Sequence, residues 1–438
     1  MIGGLRRNGH SMSALASSRS FVPGALRGTL TVPGDKSISH RALILGAYAP
    51  EPIEIRNLNP GRDVRATLEA LIALGARVEG AGSSVRVLGG RLREPMGTLD
   101  CMNSGSTARM LLGVCAGADV RARFDGDESL RRRPMEPVAA QLRAFGAKIE
   151  STDGTLPLQL EGTPQVQTRR FILITPSAQV KSALLLAGLF SNEPISIVGD
   201  KFSRDHTERL LRYLGAPIEW DGTRVELRGA PTRRDAIDVA GDFSAASFFI
   251  TAATIAPGSD VVIRGVGVNP TRTGLLDALL QMGAQIEVLD EREAAGEPVA
   301  DLRVRHAALR GITIGPDVAL RAIDEIPLLA VAAAFAHGET KITGVRELRT
   351  KESDRVAAIE RLMSAVGIDV EVAANGLVIR GGTPHGAGGM VETHHDHRIA
   401  MATAVLAAGA GPLAIDSDAS IDVSFPAFLE TLRGVQQA

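Results

Sequence analysis

Apolar and polar positions along this chain recur as a phrase. Leu74-Gly75-Ala76-Arg77-Val78-Glu79 returns as Phe145-Gly146-Ala147-Lys148-Ile149-Glu150, Leu214-Gly215-Ala216-Pro217-Ile218-Glu219, Met282-Gly283-Ala284-Gln285-Ile286-Glu287 and Val366-Gly367-Ile368-Asp369-Val370-Glu371. The glycines stand 71, 69, 68 and 84 residues apart. A helical stripe precedes the copies: Val64, Leu68, Leu71 and Ile72 fall at i, i+4, i+7 and i+8, one face of a 3.6-residue period. The glycine suits the left-handed residue that ends a helix, and the alternation after it reads as a strand.

A second kind of helix comes before each of these, Ala-rich and almost uncharged, over 42–49, 108–116, 183–190, 245–255, 328–336 and 399–408. Helices apolar on nearly every side belong inside layers. The pattern predicts an α/β fold (an α+β repeat) of six β-α-β-α-β-β units, each about 70 residues long. In the sixth unit the second helix, 428–433, runs into the chain's last residues before a strand pair can form, so strand-like Ala25–Val32 is expected to close it. Two groups of three units fit the usual domain size. That grouping predicts a flexible leader over 1–20, a first domain of 21–34 plus 242–438, and a second domain over 35–241. The charged or small stretch 290–298, which accounts for the spacing of 84, reads as a surface hairpin tip.

Composition narrows the function. A chain of 438 residues at 45% hydrophobic and 22% charged can bury large cores. Lys+Arg number 48 against 50 Asp+Glu, so no overall basic field exists to grip a nucleic-acid backbone or an anionic membrane. Aromatics at 3% leave few rings for stacking bases or sugars. Two cysteines, Cys101 and Cys115, cannot make a disulfide framework and suit a reducing compartment, so a cytoplasmic location is expected. The longest uncharged apolar run, 326–336, is too short for a bilayer that needs about 20 residues. Residues 1–20 are rich in Ser and Arg but lack the apolar core and cleavage site of a targeting peptide.

The unusual polar clusters all stand at predicted helix starts: Gly34-Asp35-Lys36-Ser37-Ile38-Ser39-His40-Arg41, Asn103-Ser104-Gly105-Ser106-Thr107, Ser177-Ala178-Gln179-Val180-Lys181-Ser182 and Asp396-His397-Arg398. So do Arg131-Arg132-Arg133-Pro134-Met135, Ser203-Arg204-Asp205-His206-Thr207 and Lys351-Glu352-Ser353-Asp354-Arg355. Ser, Asp and Asn there are ordinary N-caps. Lys and Arg are not: they oppose the helix dipole, but beside free N–H groups they suit phosphates and carboxylates. Capping accounts for any one cluster, and an anionic ligand accounts for the set. Asp324-Glu325, opening a buried helix, and Glu352, between Lys351 and Arg355, are acids placed for proton transfer if they face a cleft. Lys36-Ser37 lacks the glycines of a P-loop, His394-His395-Asp396-His397 lacks zinc-motif spacing, and Cys115 has no adjacent base.

In this order the motifs resemble the 5-enolpyruvylshikimate-3-phosphate synthase family. The resemblance runs from about residue 24 to the end and rests on Pro-Gly-Asp-Lys-Ser-Ile-Ser-His-Arg at 33–41, Asn-Ser-Gly-Ser-Thr-Ala-Arg at 103–109, Arg-Pro-Met at 133–135 and Ser-Ala-Gln-Val-Lys-Ser at 177–182. Ser-Arg-Asp-His-Thr-Glu at 203–208, Asp-Glu-Ile-Pro at 324–327, Lys-Glu-Ser-Asp-Arg at 351–355 and Asp-His-Arg at 396–398 complete it. It implies two domains of three units with the active site between them, a monomer, no cofactor, no metal, and no nucleic-acid or membrane partner. The implied substrates are shikimate 3-phosphate and phosphoenolpyruvate, joined through a tetrahedral intermediate that loses phosphate. By position, Ser37, Arg41, Ser177, Ala178, Gln179 and Arg204 would hold shikimate 3-phosphate, with Lys351 beside its reacting hydroxyl. Gly105, Arg133, Arg355 and Arg398 would hold phosphoenolpyruvate, while Lys36 and Gln179 reach between the substrates. Asp324, itself among the residues binding shikimate 3-phosphate, would take the hydroxyl proton, Glu352 would exchange one with the methylene carbon, and Lys36 would be the third catalytic residue. Two positions depart: Val423 stands where some members carry lysine, and Ser106 replaces a more usual Thr. The sister transferase acting on UDP-N-acetylglucosamine, an RNA 3′-phosphate cyclase and a non-catalytic anion binder are the alternatives. Respectively they would lack these signatures, need ATP and a nucleophilic histidine, or have no need of Asp324 and Glu352.

Overall fold

The structure, a computed structural model, describes residues 18–49, 51–199, 204–233 and 235–437. Among them twelve of the fourteen α-helices, all but the short Glu128–Arg131 and Pro316–Arg321, fall into six pairs: α1 Lys36–Tyr48 and α2 Arg62–Ala73, α3 Gly105–Gly117 and α4 Glu136–Phe145, α5 Ala178–Ser191 and α6 His206–Tyr213. The second half repeats the scheme with α7 Phe243–Ile255 and α8 Gly274–Met282, α9 Ile326–Ala334 and α10 Arg355–Ser364, α11 His397–Ala410 and α12 Phe428–Val435. The first helix of each pair is the buried one; every residue of α7 and α9 is inside. Small residues let these helices touch. A Cβ on Gly113 or Gly117 would meet the carbonyl oxygen of Ala183 or Ala187 at 2.1 Å, so α3 lies directly on the backbone of α5. The glycines of the repeated phrase all take positive φ, from 73° to 127°, as a helix stop requires.

Each of the first five units joins a parallel strand pair to an antiparallel hairpin. Arg170–Leu173 pairs parallel with Ile195–Gly199, which pairs antiparallel with Arg224–Leu227, and Ile218–Trp220 forms the far edge. Two units borrow their first strand. Ile53–Arg56 takes Ile237–Asp238, nearly two hundred residues later in the chain, and Asp260–Gly267 takes Ala25–Thr31 from the N-terminus. The segment expected to close the sixth unit therefore belongs to the fourth, where Gln436–Gln437 also lines its other edge. The sixth is closed by Arg19–Phe21, antiparallel to Leu413–Ile415, with Arg19 Nη2 bonded to Asp418 Oδ2 at 2.7 Å. Alternation identifies a strand but not its partner, which is why the sequence misassigned it. Arg19 and Ser20 thus leave the expected leader for a sheet, and residues 1–17 lie outside the described set.

Among the described residues two apolar clusters form. One gathers α7 to α12 with Phe21, Leu26, Leu30 and Val32; the other gathers α1 to α6. The chain crosses between them twice, and the crossings are paired: Asp35 N donates to Ala240 O at 2.7 Å and Asp242 N to Pro33 O at 2.8 Å. The hairpin of Gln285–Ala294 and Glu297–Arg305 belongs to the first cluster's sheet, yet its tip is not a surface feature. Ala295 and Val299 are buried in the second cluster and Glu297 is 2% exposed. Only its flank, Asp290 to Glu293, faces solvent.

Candidate active site

Five of the seven polar clusters cap; Met135 and Asp205, at the starts of α4 and α6, make no side-chain cap bond. Asp35, Ser104 and Ser177 accept from Ile38, Thr107 and Val180 N at the starts of α1, α3 and α5, and Asp242, Asp354 and Asp396 serve α7, α10 and α11 in the same way. The cations beside the caps converge between the halves. In the half built from α1 to α6, Arg41 donates to Thr207 Oγ1 at 2.6 Å, Ser182 Oγ at 2.7 Å and the carbonyl of Ser37 at 2.8 Å, tying α1 to α5 and α6. Lys36 Nζ meets Asp63 Oδ2 at 2.7 Å. Gln179, which follows Ala178 in the first turn of α5, accepts from Arg109 Nη1 at 2.6 Å and donates to Ser106 Oγ at 2.9 Å. Gly105 sits under these guanidiniums: a Cβ there would come within 2.8 Å of Arg109 and 3.0 Å of Arg133. Burial, helped by the Arg133 charge, lowers Arg109 to about 9 and burial lowers Arg41 to about 10, so both stay cationic at neutral pH.

The acids come from the other half. Asp324 Oδ2 accepts from Arg204 Nη2 at 2.7 Å, and its Oδ1 lies 3.9 Å from Lys351 Nζ and 3.7 Å from Arg355 Nη1. Arg398 Nη1 donates to the Asp324 carbonyl at 3.1 Å. Glu352 stands between Arg355 Nη2 at 2.6 Å and Arg133 Nη1 at 3.5 Å. Two of these pairs, Arg204–Asp324 and Arg133–Glu352, cross from one half to the other. Asp396 orients Arg355, accepting from its Nε at 2.8 Å, and takes Ser353 Oγ at 3.0 Å. Burial works against ionising Asp324 and Glu352, but Arg204, Arg398 and Lys351 around the first, and Arg355 and Arg133 around the second, hold both carboxyls well below the usual range. Arg133 Nε and Arg355 Nη1 are buried donors without a hydrogen-bond partner, which a carboxylate or phosphate can take up. A cavity of about 540 Å³, lined by Arg132, Arg133, Arg349, Lys351, Glu352 and His394 among others, opens beside them.

A sequence model described as EPSP synthase (3-phosphoshikimate 1-carboxyvinyltransferase) matches residues 22–432. The chain belongs to the EPSP synthase family. The 3-phosphoshikimate 1-carboxyvinyltransferase of Acidithiobacillus ferrooxidans is 47% identical over 413 residues, covering 93% of this chain and 95% of that one. That of Parvibaculum lavamentivorans is 46% identical over 439 residues, 97% of each. The solved EPSP synthase of Acinetobacter baumannii superposes with a TM-score of 0.84 at 39% identity, over 95% of this chain and 98% of that one. An enolpyruvyl transferase of Streptomyces tendae, at 18% identity and a TM-score of 0.76, shares the fold. The two-domain architecture of repeated β-α-β-α-β-β units is thus that of EPSP synthase.

Several residues of this EPSP synthase site escaped the sequence reading. Asp63, the partner of Lys36, and Arg272, bidentate on Glu325 at 2.5 and 2.9 Å, lie in stretches with no pattern to single them out. Arg109 stood in plain view at the end of Asn-Ser-Gly-Ser-Thr-Ala-Arg, and its regular spacing within a helix was the available signal. At the departing position, Val423 ends a short turn that touches the other half through backbone. A Cβ on Gly61 would meet Val423 O at 2.7 Å, Asn59 Nδ2 donates to Ser424 O at 3.3 Å, and Arg62 pairs with Asp422 at 3.4 Å. In the histidine-rich run, Asp396 is engaged by Arg355, and burial beside Lys36 lowers His397 to about 4. Cys101 and Cys115 are free and buried, and burial pushes the Cys115 thiol up to about 12. No helix among the described residues is long and apolar enough to cross a membrane.

Proposed function

We propose that the site between the halves carries out the reaction of its family with the residues in the following roles. The 5-hydroxyl of shikimate 3-phosphate adds to C2 of phosphoenolpyruvate, and the tetrahedral product loses phosphate to leave the enolpyruvyl ether. Asp324 takes the hydroxyl proton, and Glu352 delivers a proton to the methylene carbon, then recovers one from the resulting methyl group as phosphate leaves, carrying off as hydrogen phosphate the proton that Asp324 had gained. Lys36, Ser37, Arg41, Ser177, Ala178, Gln179, Arg204 and Lys351 hold shikimate 3-phosphate. Lys36, Gly105, Arg133, Gln179, Arg355 and Arg398 hold phosphoenolpyruvate. The observation that carries the reading is the pair of half-buried acids, each set among cations drawn from both halves.

Electrostatics gives the order of events. With Arg204 and Arg355 bonded to them, Asp324 and Glu352 are poor bases. Substrate phosphates and carboxylates compete for the same cations, which raises the affinity of both acids for protons only when the ligands are in place. Closure of 21–34 plus 242–438 onto 35–241 then excludes water from the tetrahedral intermediate. The reaction as written needs no cofactor. Two free, buried cysteines support a cytoplasmic location. Mixing the purified protein with both substrates tests the reading: phosphate release must require both, with the enolpyruvyl product appearing in equal amount. Release with UDP-N-acetylglucosamine in place of shikimate 3-phosphate overturns it.

A further inference from the structure

Behind the Arg204–Asp324 pair stands one short loop, residues 269–272, between the strand Asp260–Gly267 and α8. It grips the chain neighbour of each partner. Buried Asn269 donates through Nδ2 to Asp205 Oδ1 at 2.7 Å and to Glu297 Oε2 at 2.9 Å, and Thr271 Oγ1 lies 3.2 Å from the same Asp205 oxygen. Glu297 Oε1 meets His206 Nδ1 at 2.8 Å. Arg209 Nε at 3.0 Å and Trp220 Nε1 at 3.3 Å complete the shell of Asp205. Burial would raise the Asp205 pKa, but the hydrogen bonds from Arg209 and Asn269 bring it to about 2, so these are charge-assisted bonds. The hairpin supplying Glu297 is wedged against α6: a Cβ on Gly296, at φ +83°, would lie 2.9 Å from Arg209 O.

At the other end of the loop, Arg272 forms its bidentate pair with fully buried Glu325. Glu325 also accepts from Ser244 Oγ at 2.5 Å and lies 3.3 Å from Arg398 Nη1. Arg204 precedes Asp205 and Asp324 precedes Glu325 in sequence. Four residues of one half therefore set where a cation of the other half meets an acid of their own.

We infer that Asn269 is a positioning residue, fixing Arg204 against Asp324 through Asp205, and that the loop 269–272 is the part that couples the shikimate 3-phosphate-holding cation to the proton acceptor. The inference rests on the roles proposed above for Arg204 and Asp324. A displaced side chain at a reacting centre costs one to two orders of magnitude. Asn269→Ala is expected to raise KM for shikimate 3-phosphate about ten-fold and to change KM for phosphoenolpyruvate much less. A merely structural contact would instead lower Tm and leave both constants alone.

The experiment is a cycle of wild type, Asn269→Ala, Arg204→Ala and the double variant, with kcat, both KM values and Tm measured for each. If Asn269 acts through Arg204, its substitution adds nothing on the Arg204→Ala background. Multiplying losses in the double variant overturn the inference, as does a lowered Tm with unchanged kinetics. An Arg204→Ala enzyme with unaltered KM for shikimate 3-phosphate overturns the role of Arg204 itself, a failure visible without Asn269. Should Asn269→Ala not fold, Thr271→Val removes one bond to Asp205 and enters the same cycle, with a smaller KM rise and the same non-additivity expected.

Discussion

At the scale of single residues the site is a contest over cations. Asp324 and Glu352 each bind guanidinium groups that the substrates' anions also want, so charge and proton affinity are linked at both acids. Asp324→Asn and Glu352→Gln keep the size of the side chain and remove the proton exchange. Each is expected to lower kcat about 100-fold or more while shikimate 3-phosphate binding, read by titration, stays within a few-fold. Arg133 has its Nε unsatisfied and, among the described residues, a single ion pair, to Glu352 at 3.5 Å, so it can take up an anion. Arg133→Ala is expected to weaken phosphoenolpyruvate more than shikimate 3-phosphate, and equal losses for the two ligands in separate titrations would contradict its placement. These roles were readable from local motifs because each residue lies in a short polar or charged run just before a helix. Asp63 and Arg272 were not, since a lone acid in the first turn of a helix or a lone arginine in a loop becomes meaningful only when folding brings its partner from elsewhere in the chain.

Helices and strands tell a similar story. The six helix pairs were legible because two physical signals agree: glycine stops at positive φ, and charge-free helices that have no solvent face. Partners of strands were not, because pairing is settled by chain topology, and the Ala25–Thr31 strand reads the same whichever neighbour it takes. The hairpin tip misled for a related reason. Ala295-Gly296-Glu297 has the composition of an exposed turn, and its burial comes wholly from the half against which it docks. Where helix meets helix the tolerance is small. Gly113→Ala places a methyl 2.1 Å from a backbone oxygen of α5 and forces two buried helices apart. It is expected to cost about 3 kcal/mol, measured by urea unfolding, whereas Gly82→Ala, with nothing within 4 Å but a φ of +69°, costs about 1 kcal/mol or less through backbone strain alone.

The whole molecule carries its own pH signature. His40 and His397 are buried, and desolvation, aided by the nearby Lys36 charge, keeps them neutral, with His397 brought to about 4 from 6.5. The unfolded chain protonates both near 6.5, so below that pH it binds more protons than the native state and stability falls with pH until the native groups titrate. For His397 the loss reaches about 3 kcal/mol at most. Tm is expected to fall from pH 7 toward pH 4.5, and His397→Gln to make that fall shallower; an identical slope in the variant counts against a buried neutral imidazole. The closing strands also fix a timetable. Arg19 and Ser20 pair with Ile415 and Ala414, which are made about four hundred residues later. At about 5–20 residues per second the ribosome takes roughly 20 to 80 seconds to deliver those partners. For that interval the Arg19–Phe21 strand waits unpaired outside the ribosome while α1 to α6, which need nothing beyond Asp238 for their sheets, have all they require to fold. The early chain is thus the last to settle, and a bare strand edge during translation is the moment at which this protein is most open to chaperones and to mispairing.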